Sequence, residues 1–115
     1  MSKENKEGLI TASGFFNGSS TKGNFDVQLK FKFPESELAN SIQFLAAIGK
    51  RMKMIAIVDE DKINLGIFSI QQMKIDRDAN NTITFKSNKD DAFVEEVSKL
   101  LVEEAQINLK AKIIE

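Results

Sequence analysis

Residues 25–59, FDVQLKFKFPESELANSIQFLAAIGKRMKMIAIVD, and residues 81–115, NTITFKSNKDDAFVEEVSKLLVEEAQINLKAKIIE, read alike. Each opens on an alternating strand, passes through a helical stretch and closes on a second strand; the second is displaced from the first by 56 positions without a gap. Val27 and Leu29 fall on Ile83 and Phe85, Leu38, Phe44 and Leu45 on Val94, Leu100 and Leu101, and Ile57 and Val58 on Ile113 and Ile114. Identity is confined to Lys30/Lys86, Leu45/Leu101 and Ile57/Ile113, so the likeness is one of topology more than of sequence.

The strands follow from a period of two. Phe25, Val27, Leu29, Phe31 and Phe33 alternate with Asn24, Asp26, Gln28, Lys30 and Lys32, which is one buried and one polar face. Leu9–Phe16 is expected to precede it, with Ile10, Ala12, Gly14 and Phe16 on one face, and Asn17–Gly23 reads as a loop. Pro34 ends the strand and opens a helix whose first turn carries Glu35 and Glu37. Leu38, Ile42, Leu45 and Ile48, broadened by Phe44, form its expected apolar stripe, and Gly49 its stop. Met54–Val58 reads as a strand buried on both faces, and Asp59–Asp61 as a hairpin turn. Ile63–Arg77 is long and changes phase, which predicts a bulge near Ser69–Gln72. A turn over Asp78–Asn81 leads to a strand over Thr82–Ser87. Asn88 can cap a second helix striped by Phe93, Val97, Leu100 and Leu101, and Ile107–Ile113 alternates as the last strand.

The reading is α+β: two ββαβ units, residues 8–59 and 62–115, making a mostly antiparallel six-stranded sheet with two helices on one face, a strongly bent sheet being the variant. Residues 1–7 read as a flexible polar tail before a single domain over 8–115. No apolar run approaches the ~20 residues that span a bilayer. With no cysteine and no hydrophobic leader, the expected location is the cytoplasm of a cell or of a phage host. Residues 1–58 carry a net +3 and residues 59–115 a net −4, a polarity that suits a charged or head-to-tail partner.

The absence of histidine and cysteine excludes Ser–His and Cys–His catalysis and His-ligated metals. Asp76-Arg77-Asp78-Ala79-Asn80 starts like a calcium loop, yet Asn81 stands where Gly is needed and Ser87 where Glu is needed, so turn chemistry is the expectation. Gly18–Gly23 lacks the Lys-Ser/Thr and the helix of a phosphate loop. The protein therefore reads as non-enzymatic, with no cofactor and no metal site; a metal-dependent enzyme using Asp59, Asp61, Asp76 and Asp78 is the reading least favoured.

The functional signal is a face. The polar sides of three strands offer Gln28, Lys30 and Lys32, then Thr82, Thr84 and Lys86, then Asn108, Lys110 and Lys112. Lys30, Lys32, Lys86, Lys110 and Lys112 are the candidate nucleic-acid-binding residues, since five lysines without an acid suit a phosphate backbone. Base stacking would need an aromatic on that face, for which Phe16 or Phe68 are the candidates. A second basic cluster, Lys50, Arg51 and Lys53, follows the first helix. The alternative is a protein–protein module or homo-oligomer, acting as an inhibitor or assembly factor through an edge strand or the charge polarity.

The stretch FDVQLKFKFPESELANSIQFLAAIGKRMKMIAIVDE, Phe25–Glu60, resembles small early-region proteins of bacteriophages and prophages, which also run an alternating strand into a short helix, a Gly and a strand. The resemblance covers about a third of the chain and implies an accessory protein encoded near replication or recombination genes; no site residue is carried over from it.

Overall fold

The computed structural model describes residues 8–22, 26–97 and 106–114. The chain forms β1 (Leu9–Lys22), β2 (Asp26–Phe33), a helical stretch with α1 (Leu38–Ser41) at its centre, β3 (Arg51–Val58), β4 (Asp61–Ile75), β5 (Asn81–Asn88), α2 (Val94–Val97) and β6 (Gln106–Ile113). The six strands are all antiparallel to their neighbours. The expected six-stranded antiparallel sheet is thus present, and it closes on itself as a barrel in the order β1-β2-β5-β4-β3-β6. Closure removes the two open edges an isolated sheet would expose.

Exchanging β1 with β4, β2 with β5 and β3 with β6 leaves that ring order unchanged. Strand lengths follow the same exchange: 14, 8 and 8 residues, then 15, 8 and 8. Both long strands are bulged where they meet their hairpin partners, β1 between Phe16 and Ser19 and β4 between Ile70 and Gln72. An extra residue on one strand bends and coils it, which a small barrel needs in order to close.

The alternation of β2, β5 and β6 survives in the structure. Val27, Leu29, Phe31, Phe33, Ile83, Phe85, Ile107, Leu109 and Ala111 all point inward and are buried. Phe31, Phe33, Phe44 and Phe85 form a closed circuit of ring contacts with centroids 5.3–6.4 Å apart, and Phe16 joins it edge-on against Phe31 at 5.5 Å. Edge-to-face contacts at this spacing add to what area burial supplies. The interior is therefore packed with side chains.

Several local expectations are corrected. Asn17–Lys22 is not a loop: β1 runs on to Lys22 and pairs with β2, with Gly18 taking the strain of the bulge at φ +129°. β3 starts earlier than expected and is not buried on both faces; Met52, Met54 and Ala56 point inward while Ile55 and Ile57 are half-buried outside. β4 changes phase twice. Leu65 is the extra residue against β3, Gln71 against β5, and so Ile63 and Leu65, then Phe68 and Ile70, then Met73 face the core in turn.

The first helical stretch buries the wrong residues for an α-helix. Ser41, Phe44 and Ala47 are buried, whereas Ile42, Leu45 and Ile48 are exposed. Residues Glu35–Glu37 and Ile42–Ala47 are 3₁₀, with only the turn Leu38–Ser41 α-helical. Three residues per turn brings every third side chain to one side, so the expected stripe spaced at 3.6 points away from the core. Gly49 does end the stretch, at φ +83°. Asn88 caps a turn, its Oδ1 accepting from the Asp90 and Asp91 N–H at 2.8 Å, and α2 begins six residues further on. Of the expected stripe, Val97 is buried and Phe93 is exposed; Leu100 and Leu101 lie outside the described residues, as do Phe25 and the tail 1–7.

Candidate nucleic-acid interface

Residues directly opposite in paired strands share a face, so registers place the outer side chains in rows. One row across β1, β2, β5 and β4 is Phe15, Lys32, Thr82 and Lys74. The next is Lys30, Thr84 and Gln72 on β2, β5 and β4. The third is Gln28, Lys86, Ser69 and Arg51, reaching β3. Rows are about 7 Å apart along the strands and steps within a row about 4.8 Å. These rows hold five cations, one exposed aromatic ring and no acid. Asp26, opposite Asn88, marks the next register beyond.

The wall is tied together across its middle strand. Gln28 Nε2 donates to Gln71 Oε1 at 2.7 Å, from β2 to β4, spanning the β5 strand that carries Thr84. Thr84 is outward by phase yet only 9% exposed. At the β3 end a cavity of about 290 Å³ is lined by Arg51, Ser69, Lys86, Ser87, Asn88 and Asp91, with Ser87 Oγ donating to the Ile67 carbonyl at 2.5 Å. At the opposite end the turn after β4 is organised by Asp76, whose Oδ1 accepts from the Asn80 N–H at 3.0 Å and the Asp78 N–H at 2.9 Å. The Asn80 backbone hydrogen bond, with smaller help from the Asn80 side chain, the Asp78 N–H and the Lys32 charge, holds the Asp76 carboxyl below the usual carboxylate value. That carboxylate is committed to its own turn, as the failed calcium-loop pattern implies; among the described residues no group of three acids is placed to hold a metal ion.

All five candidate lysines are exposed, and the barrel divides them. Lys30, Lys32 and Lys86 stand together where β2 meets β5. Lys110 and Lys112 are on β6, against β3, with β1 on one side and β4 on the other separating the two walls. On that second wall Lys112 is directly opposite Lys53. The nine-residue face expected across three strands is therefore two faces. Phe16 and Phe68, the aromatics proposed for stacking, are 8% and 1% exposed and belong to the core. Phe15, 39% exposed, takes their place on the wall. Its signal was present: if Ile10, Ala12, Gly14 and Phe16 face inward, Phe15 faces out. Lys74 was equally legible, since it alternates with Met73 and Ile75, whereas Arg51 was kept off the wall by the late start assigned to β3.

The strands as a set hold ten of the sixteen Lys and Arg and two of the seventeen Asp and Glu. The charge polarity of the chain thus lies between strands and their connections more than between halves. A separate apolar groove of about 360 Å³ runs between the first helical stretch and β4, lined by Leu45, Ile48, Ile70, Met73 and Ile75 with Gln71 and Gln72. No helix among the described residues is long and apolar enough to cross a membrane. No protein-family model matches the chain, and no curated protein is significantly similar to it.

Proposed function

We propose that this protein is a small non-enzymatic accessory protein that binds nucleic acid on the wall where β2 meets β5. The observation that carries this reading is the run of Lys30, Lys32, Lys74, Lys86 and Arg51 over three successive rows without an acidic side chain. Asp76 beside Lys32 and Asp91 beside the cavity of Lys86 and Arg51 flank the rows, and closely spaced cations within them gain from a polyanion. Each ββαβ half acts as one building unit in this reading, and the wall is the junction between halves. An accessory role is also what the resemblance of Phe25–Glu60 to phage early-region proteins implies.

The test is fluorescence anisotropy with labelled oligonucleotides over a salt series. If all five cations engage phosphates, the slope of log K against log salt is about −3.5 for a single strand and about −4.5 for a duplex. Lys30→Glu with Lys32→Glu abolishes binding at moderate salt, while Lys110→Glu with Lys112→Glu leaves most of it. Wild-type affinity in the first pair removes this wall from consideration; loss in the second pair alone moves the site to the β3–β6 wall.

A protein partner is the second reading, favoured by the exposure of Leu45, Ile48 and Ile75, at 51%, 54% and 45%, around one groove. Sedimentation at high concentration and low salt tests its homo-oligomeric form, which a strictly monomeric mass excludes.

A further inference from the structure

We infer that the strand bound on this wall is single, with a base stacked on Phe15; the inference rests on the nucleic-acid reading above. Six phenylalanines, Phe16, Phe31, Phe33, Phe44, Phe68 and Phe85, are 8% exposed or less. Phe15 is held outward just before the bulge of β1 by its pairing, between Gln106 on β6 and Lys32 on β2. The ring therefore lies directly beside one ammonium group, Lys32, and its row continues through Thr82 to a second, Lys74, three strands along. An aromatic face flanked by phosphate-binding cations is the arrangement by which single strands are held without sequence preference, the ring taking a base and the cations the backbone.

The curvature of the wall selects against a duplex. The outside of a six-stranded barrel is convex, and a rigid duplex touches a convex surface over a few phosphates only. A single strand bends around it. The bulge of β1 alongside Lys30 is not crowded, since an added Cβ at Gly18 would meet nothing within 4 Å. Two carboxylates near the Phe15 end keep their charge but are fixed in place by hydrogen-bond donors. Glu37 Oε1 accepts from the Ser13 N–H at 2.9 Å and from Asn40 Nδ2 at 3.0 Å, and Asp76 is held in its turn.

The chain has no tryptophan, so Phe15→Trp places a single reporter on the wall. The experiment titrates this variant, Phe15→Ala and the wild type with a thymine oligonucleotide of about 12 residues, within the site sizes of single-strand binders, and with a duplex of equal length. The expected result is quenching of Trp fluorescence by the single strand and not by the duplex. In Phe15→Ala, single-strand affinity falls about tenfold or more while the salt slope is unchanged, because stacking carries no counterion. A merely structural Phe15 would instead alter the melting transition, measured alongside. If the wild type binds single strand and duplex alike and Phe15→Ala matches it, the inference is overturned and the basic wall stands. If the wild type binds neither, the wall reading falls and this inference with it.

Discussion

Gly66→Ala is the sharpest test of how the barrel is closed. Gly66 lies in β4 at φ +105°, where β4 leaves its regular pairing with β3 and is met by the segment that follows β5. A Cβ built there falls 2.3 Å from the Asp91 carbonyl oxygen, 3.0 Å from Ala92 Cα and 3.1 Å from the Phe93 nitrogen. All three are backbone atoms, so no rotamer change relieves the contact. The backbone conformation alone costs an L-residue about 1–3 kcal/mol. Retreat of residues 91–93 stretches two hydrogen bonds, Ile67 N–H to the Asp91 carbonyl and Phe93 N–H to the Leu65 carbonyl, both 3.0 Å, at about 0.5–1.5 kcal/mol each. The expected loss is roughly 2–6 kcal/mol, a large part of the ~5–15 kcal/mol that holds a domain of this size. Gly18→Ala is the control, since it shares a positive φ of +129° but has open space around it. Urea unfolding followed by circular dichroism measures both. A Gly66→Ala protein no less stable than Gly18→Ala would refute the argument that the 91–93 crossing is pressed against β4.

Two core-versus-surface substitutions test the phases. Phe31→Ala removes the ring that contacts Phe16, Phe33 and Phe85 and should cost about 3–5 kcal/mol by urea denaturation, while Leu45→Ala, on the outside of a 3₁₀ stretch, should stay within about 0.5 kcal/mol of wild type. Comparable losses in the two would restore the α-helical phase. For Asp76 the carboxyl resonance should titrate with a midpoint below the ordinary 3.8. A lowered folded-state pKa contributes stability above the ordinary value that is lost as pH falls through the lowered one. Asp76→Asn should therefore flatten the acid limb of stability against pH, and an unaltered limb would show that the turn hydrogen bonds do not favour the charged form.

The sequence by itself determined the strands and, for most of them, which side chains face in. Alternation is a local property: in Val27–Phe33 and Ile107–Ala111 each neighbour of an apolar residue is polar, and no distant contact can change which of the two prefers the core. Pro34 and Gly49 set the limits of the first helical stretch for equally local reasons, a fixed φ and a tolerated positive one. The tertiary structure decided what depends on the pairing of distant segments. Ring closure follows from β1 pairing with β6, β2 with β5 and β3 with β6, contacts that no local pattern encodes. The bulges at Leu65 and Gln71 answer to the curvature of that ring; the first reverses the phase of β4, which turns Phe68 and Ile70 inward, and the second restores it. Between Ile42 and Ala47 the strand ends on either side fix where Phe44 must reach the Phe33–Phe85 cluster, and the chain tightens to three residues per turn to deliver it. The same closure separated Lys110 and Lys112 from Lys30, Lys32 and Lys86. Residue type and spacing marked them all as outward, but which outward residues are neighbours is a property of strand order, and strand order is set only when the whole chain folds.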